Sequence, residues 1–375
     1  MSLSRQTYEE YFARIKSGGP SKLVVIIDEA QFVAKRDASF MEAVAKLKKH
    51  KLYPGPVLII LATSSTVWAT QEAAEQFKGA EMKLESLNFL DVVRHFESLP
   101  VAEIVRIYGA IGGVPAYLDK WDAAKSFKDN ICRLVLSPSG ALYGEADAVI
   151  SAELRELSAY STILAAIARG ENKLNDIFHA TGFSRAKISV YLKNLAAFNI
   201  VEKVVSFETG GWENAKKGVY QIKDTFVNFW FKFVYPNMSN LYLLSPEEFY
   251  DTYIEKELDE YLERYFREVC TEYLLILNQM GQLPFTIKRV GTWIGKTGRI
   301  DIVAQSEDRR SIIGFCNWDK PMMTMDMCEN MAMAMDQARL TSDDYYLFSA
   351  TDFEPALQSY VVRDPRFKLI NMNEL

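Results

Sequence analysis

Apolar and polar positions follow four different rhythms along this chain. Between residues 4 and 95, the segments "RQTYEEYFARIK", "KLVVIID", "SFMEAVAKLKKH" and "PVLIILATSS" read as helix, strand, helix, strand. Short apolar runs alternating with segments of helical period predict a parallel sheet with crossover helices. The run Leu23 to Ile27 is apolar throughout, so its strand is expected to be buried on both faces. It leads straight into Asp28 and Glu29. The metal-binding strand of a nucleotide-hydrolysing α/β domain ends in this way. The first carboxylate there holds Mg²⁺ through water, and the second polarises the attacking water.

Residues 96–150 are mostly helical around "AEIVRIYGAIGGVPAYLDKW", where Gly112 and Gly113 end one helix and Pro115 prevents its continuation. The pattern changes over residues 151–236. The helix "AELRELSAYSTILAAIA" sets Leu154, Leu157, Ser161, Leu164 and Ala168 along one stripe. A short helix "KLNDIFHA" and a turn at Thr181–Gly182 follow. A third helix starts at Ser184, a favourable N-cap, with Phe183 and Ile188 spaced as a hydrophobic staple. Two β segments, "IVEKVVSF" and "KGVYQIK", are joined by the polar loop "ETGGWENAK". Three helices and a hairpin in this order predict a winged helix-turn-helix. The aromatic run "FVNFWFKFVYPN" (226–237) reads as a docking segment between domains. Beyond it come long helical sequence, three strand-like runs, a helical stretch, a strand, a helix and a final strand. That is the core order of restriction-endonuclease-like folds.

Composition narrows the classes. At 375 residues, with 49% hydrophobic and 25% charged, the chain is an ordinary multidomain globular protein and not a disordered one. No apolar run reaches the length of a membrane span and no signal-peptide pattern opens the chain, which predicts a cytoplasmic protein with no membrane partner. Four scattered cysteines without a CxxC, and only three histidines, argue against zinc and for reduced thiols. The net charge of −6 gives no global attraction to nucleic acid, so double-stranded DNA would have to be met by a local patch. One candidate patch exists. Arg185, Lys187 and Lys193 lie on the third helix of the 151–236 block, with Lys203, Lys216 and Lys217 on or near the wing. This suits phosphate contacts with the helix in a major groove; a protein-docking module is the competing reading. The segment "PMMTMDMCENMAMAMD" (321–336) packs seven of the 13 methionines at partly helical spacing. It reads as an adaptable apolar face, buried or offered to a protein partner, more than as a soft-metal site.

Taken in order, "VVIIDEAQ", "LIILATSS", "GAIGGVPAYL", "VYQIKDTFVNFWFKFV" and "RIDIVAQ…IIGFCNW" resemble a group of archaeal and bacterial AAA-type ATPases. In that group a winged helix and a nuclease-like domain follow the ATPase core. The resemblance implies an α/β multidomain chain: a partial ATPase core lacking the P-loop (1–95), a helical lid (96–150), a winged helix-turn-helix (151–236) and a degenerate nuclease-like domain (237–375). It matches Asp28 and Glu29 to the metal-binding and water-activating pair, vestigial here and read as solvated residues at a strand end, and Thr63, Ser64 or Ser65 to the polar γ-phosphate sensor. The sole Gly-Lys-Thr, Gly295–Lys296–Thr297, has the wrong glycine spacing and is followed by a strand, so it reads as a loop. Ala80 and Glu81 stand where the group often carries a basic pair. In the last block Asp301 matches the first nuclease acid and Glu268 an additional one. Phe315 and Asn317 occupy the positions expected for the Glu and Lys of the following strand. No confident metal site follows, and no cofactor is expected for the chain as given. ATP and Mg²⁺ would be expected only with an upstream phosphate loop. The function implied is a non-catalytic DNA- or protein-binding relative of these ATPases. The alternatives are an ATPase whose P-loop lies outside this chain and, third, a metal-dependent nuclease.

Overall fold

The computed structural model describes residues 7–15, 22–49, 53, 55–65, 67–151, 154–207, 218–295 and 298–375. The chain is a mixed α/β protein that divides into two compact units, Met1–Leu84 and Glu85–Leu375.

The first unit is built from α1 (Tyr8–Ala13), β1 (Leu23–Ile27), α2 (Ala30–Arg36), α3 (Ala38–Lys48) and β2 (Val57–Leu61). A π-helical stretch, Trp68–Ala73, then continues into α4 (Ala74–Phe77). Side-chain caps start α1 and α3. Thr7 and Glu10 form a reciprocal capping box on α1, and Asp37 Oδ1 accepts the Ser39 N–H at 3.0 Å at the head of α3. The strands pair in parallel from Leu23 opposite Val57 to Ile27 opposite Leu61. Phe40, Met41, Val44 and Leu47 of α3, together with Trp68, bury one face of this pair. The expected burial on both faces is not found. Val24, Ile26, Leu58 and Ile60 point the other way and are 42–67% exposed. The helical core residues of this unit gather on the face of Leu23, Val25, Val57 and Ile59, and among the described residues no helix packs on the opposite face.

The second unit opens with α5 (Phe89–His95), α6 (Val101–Ile111), α7 (Pro115–Leu118), α8 (Phe127–Ile131) and α9 (Glu145–Ser151). Three longer helices follow, α10 (Leu157–Ala168), α11 (Leu174–Thr181) and α12 (Arg185–Ala197). Next comes an antiparallel pair, β3 (Val201–Val204) and β4 (Val219–Ile222), with Val201 opposite Ile222. Gly112, at φ 68°, ends α6, and Pro115 opens α7. Residues 89–95, expected in the first block, belong to this unit. Glu272 accepts the N–H groups of Phe89 (3.0 Å) and Leu90 (3.1 Å), satisfying donors that the first turn of α5 leaves open.

The aromatic run forms α13 (Thr225–Phe229) and a π-helical turn, Trp230–Val234. Phe226, Phe229, Trp230, Phe231 and Phe233 are all at most 2% exposed. Their cluster runs without a break from Phe89 to the C-terminal sheet, so this segment docks elements of its own unit. Asn228 Nδ2 of this segment donates to Tyr265 Oη at 2.8 Å, and the neighbouring Tyr261 Oη donates to Gly109 O at 3.0 Å, whereas the buried Trp230 Nε1 has no partner among the described residues.

After α14 (Met238–Leu241) and α15 (Pro246–Tyr253) comes the long α16 (Leu258–Gln279). The remaining elements are β5 (Arg289–Ile294), β6 (Arg299–Gln305), β7 (Ser311–Asn317), β8 (Met322–Met323), α17 (Met325–Ala338), β9 (Asp344–Ser349), β10 (Asp352–Phe353), α18 (Pro355–Arg363) and β11 (Phe367–Asn371). Five strands form one sheet in the order β11-β9-β7-β6-β5. The β5-β6-β7 side is antiparallel and the β7-β9-β11 side parallel. One face (Ile302, Ala304, Ile312, Phe348) packs with Phe266, Val269 and Cys270 of α16. The other (Ile300, Val303, Ile313, Leu347) packs with Met331 and Met335 of α17 and Leu357 of α18. The methionine-rich segment is therefore largely core: Met323, Met331 and Met335 are buried, while Met322 and Met333 remain exposed.

Candidate functional site

Three groups of predicted residues have distinct fates. At the carboxyl ends of β1 and β2, Glu29 and Ser64 meet. Glu29 Oε2 accepts from Ser64 Oγ (2.9 Å), Ser64 N (3.3 Å) and Gln31 Nε2 (2.5 Å). Glu29 itself sits in the left-handed region at φ 47°, which turns its side chain back toward β2. The Gln31 amide, then the Ser64 hydroxyl and N–H, hold its carboxyl below the ordinary carboxylate range. Asp28 is exposed and accepts the Glu29 N–H at 2.9 Å. Ser65 is buried, and its Oγ accepts the Trp68 N–H at 3.3 Å, so it caps the following helix and does not face the carboxylates. Gln31, 2% exposed, is a member of this group that residue-type reasoning passes over. Its signal was position: two residues after Glu29, at the first turn of α2.

In the C-terminal sheet, Asp301 is 5% exposed and fully engaged. Its Oδ1 accepts from Arg267 Nε and Arg299 Nε, both at 3.0 Å, and its Oδ2 accepts the Cys316 N–H at 3.1 Å. The residue that α16 brings to Asp301 is Arg267. Glu268 instead pairs with Arg264 at 2.8 Å, which corrects the expected joining of Asp301 and Glu268. Two guanidiniums and an N–H leave this carboxylate neutralised and its oxygens occupied. Phe315 packs into the α17–α18 side of the sheet, the face opposite Asp301, and Asn317 donates to Lys320 O, Ser349 Oγ and Thr351 Oγ1. Among the described residues, no group of three or more His, Cys, Asp or Glu is placed to hold a metal ion. The four cysteines are free thiols.

The third group lies on α12. Ser184 Oγ accepts the Lys187 N–H at 3.2 Å and sets the helix start. Ile188, Tyr191, Leu192 and Leu195 are buried, and Asn194 Nδ2 donates to Tyr160 Oη of α10 at 2.8 Å, fixing the inner face. Arg185, Lys187, Ser189, Val190 and Lys193 are exposed, with Arg185 and Lys187 on the two flanks of the buried face, and no acidic residue occurs between Arg185 and Ala197. Arg185 donates Nε to Asn175 Oδ1 at 2.9 Å and lies 4.1 Å over the Phe178 ring. That braces the guanidinium while leaving its other N–H groups for a ligand. Lys187 lies 4.3 Å over Phe183. Lys216 and Lys217, and the Lys296–Thr297 pair of the glycine-lysine loop, lie outside the described residues.

Comparison with known proteins adds relatives but no activity. Residues 230–333 match the family DUF234, described as archaea bacterial proteins of unknown function. An uncharacterized protein of Methanocaldococcus jannaschii, MJECL04, is 28% identical over 323 residues, covering 84% of this chain and 71% of that protein. The crystal structure of protein VC1899 from Vibrio cholerae is similar over 94% of this chain and 88% of its own, at 12% identity. Its TM-score of 0.24 is too low to carry an argument. No described helix is long and apolar enough to cross a membrane.

Proposed function

We propose that this chain is a duplex-DNA-binding relative of AAA-type ATPases. In this reading residues 151–236 act as a winged helix-turn-helix, and the C-terminal sheet is a nuclease-like scaffold without metal chemistry. The observation that carries the reading is α12, which buries an apolar face against α10 and α11 and turns Arg185, Lys187 and Lys193 outward with no acid among them. An outward cationic helix of this kind is suited to a major groove, where phosphate contacts set register before any base is read. The neutralised Asp301 supports a binding role over cleavage. Fluorescence anisotropy on a labelled duplex at several salt concentrations tests it. Three phosphate contacts contribute roughly 2.7 to the slope of log K against log salt, at about 0.9 each. Replacing all three cations with alanine flattens the slope by that amount and weakens all sequences alike, with unchanged helical circular dichroism. A triple variant that binds as well as the parent, or a parent that binds no duplex at low salt, overturns the reading and makes α12 a protein-docking helix.

One observation favours a second reading, ATP hydrolysis by a chain completed by a phosphate loop outside this sequence. Glu29 and Ser64 share hydrogen bonds beyond the carboxyl ends of adjacent parallel strands, where ligands of open α/β sheets bind. Under this reading Mg-ATP, added to the whole native reading frame, displaces the carboxyl resonance of Glu29. A resonance that stays put at millimolar nucleotide refutes it.

A further inference from the structure

Where β5 begins and β6 ends, Lys288, Arg289, Gln305, Ser306, Glu307 and Arg309 line a cleft of about 360 Å³. Three cations face one acid, and no apolar side chain lines the space, which excludes an apolar ligand. Lys288 and Arg309 are exposed, and neither is in an ion pair among the described residues. The neighbouring Arg310 is already answered: it pairs with Asp308 at 3.0 Å and stacks 5.1 Å from the Phe285 ring. Arg289 looks toward the hairpin. Its Nη2 donates to Phe207 O at 3.0 Å, and its guanidinium lies 4.7 Å from the Phe207 ring. One residue earlier, Ser206 Oγ accepts the Ile294 N–H at 3.0 Å. The chain leaving β3 is thus pinned to β5, the edge strand of the sheet, and the cleft opens beside the root of the hairpin.

We infer that this cleft binds the phosphodiester backbone of the same duplex that α12 engages, a second set of phosphate contacts outside the helix-turn-helix. The inference rests on the DNA-binding reading. The Lys288 ammonium, the Arg309 guanidinium and the N–H groups that Arg289 keeps beyond its bond to Phe207, set around a polar floor, suit phosphate oxygens, which accept several donors at once. A folded protein partner needs a much larger surface than this cleft presents. The hairpin root fixes the spacing between the cleft and β3–β4, because Arg289 holds both. The cleft therefore meets DNA only in the orientation that also presents the hairpin.

The test uses the full chain and a duplex of about three helical turns, by anisotropy across salt. The variant is Lys288→Ala with Arg309→Ala; both side chains are exposed, and Arg289 is spared because it holds the hairpin root. Losing two phosphate contacts lowers the salt slope by roughly 1.8 and weakens binding at least about tenfold at low salt. The companion variant Glu307→Lys steepens the slope by roughly 0.9. An unchanged slope in both variants overturns the cleft while leaving α12 standing. A slope lowered here but unaltered in the α12 triple variant sustains the cleft and removes α12. A parent that binds no duplex overturns both.

Discussion

Replacing Asp301 with alanine measures whether this carboxylate is a structural anchor or the remnant of a metal site. In the native fold it is 5% exposed and answers Arg267, whose side chain is 15% exposed. Removing one member of such a pair leaves a buried charge unmatched, at a cost of about 3–5 kcal/mol. Arg299 adds less than about 1 kcal/mol, because its side chain is 43% exposed and water replaces the lost partner. Domains of 150–250 residues lose roughly 2–4 °C per kcal/mol, and the unit Glu85–Leu375 is larger, so the lower end applies. The expected fall is roughly 6–12 °C in the melting of that unit, followed by calorimetry at one fixed scan rate. The paired variant Asp301→Leu with Arg267→Met leaves no charge stranded and recovers most of the loss. An alanine variant melting within about 1 °C of the parent refutes the anchor. So does a parent stabilised by Mg²⁺ or Mn²⁺ through a response that the variant lacks, since that would place a metal on Asp301.

Gly113→Ala places a Cβ 1.9 Å from Leu87 O, a backbone atom that cannot rotate away and that lies beside the 2.8 Å bond from Leu87 N–H to Gly113 O. A loss of about 3 kcal/mol or more, at the top of the range for overpacking, is expected in urea unfolding, whereas Gly144→Ala, with nothing within 4 Å, changes little. Glu29 titrates below its ordinary range because the Gln31 amide and Ser64 favour its charged form. Its contribution is full above the ordinary value and is lost as pH falls through the lowered one, so acid weakens the first unit. In carboxyl NMR, Gln31→Ala with Ser64→Ala returns the midpoint to the ordinary range; an unmoved midpoint rejects those hydrogen bonds as the cause.

Strand and helix positions were readable where period and punctuation agree. The three β runs of the last block, the stop at Gly112 and the start at Ser184 fall where pattern and capping chemistry place them. Burial was harder. Leu23 to Ile27 is apolar on both faces, and that composition signals a covered strand, yet Val24 and Ile26 are exposed. Composition states what a strand tolerates on each face. Whether something packs there depends on elements elsewhere. The aromatic run 226–237 shows the converse: its apolar character was plain, but its neighbours α6 and α10, more than 55 residues away in sequence, were not.

The candidate sites turn on phase more than on residue type, and part of that phase was available. On α16, Phe266 and Cys270 face the sheet, and successive residues advance about 100° around a helix. Glu268, two positions after Phe266, is therefore carried about 200° round, away from the sheet, while Arg267 stays on its flank and reaches Asp301. On β7 the alternation is two: Ile312 and Cys316 turn toward α16, and Ile313 and Phe315 toward α17. Asp301 bonds to α16, so the side chain at Phe315 lies across the sheet from it. A glutamate at position 315 would face α17, so the residue type there does not decide whether Asp301 could share a metal ion. Under the proposed reading without metal chemistry, what sets Asp301 against a metal ion is occupancy. Both of its oxygens accept hydrogen bonds, two guanidiniums balance its charge, and a divalent cation would have to compete with Arg267 and Arg299 in a nearly closed site.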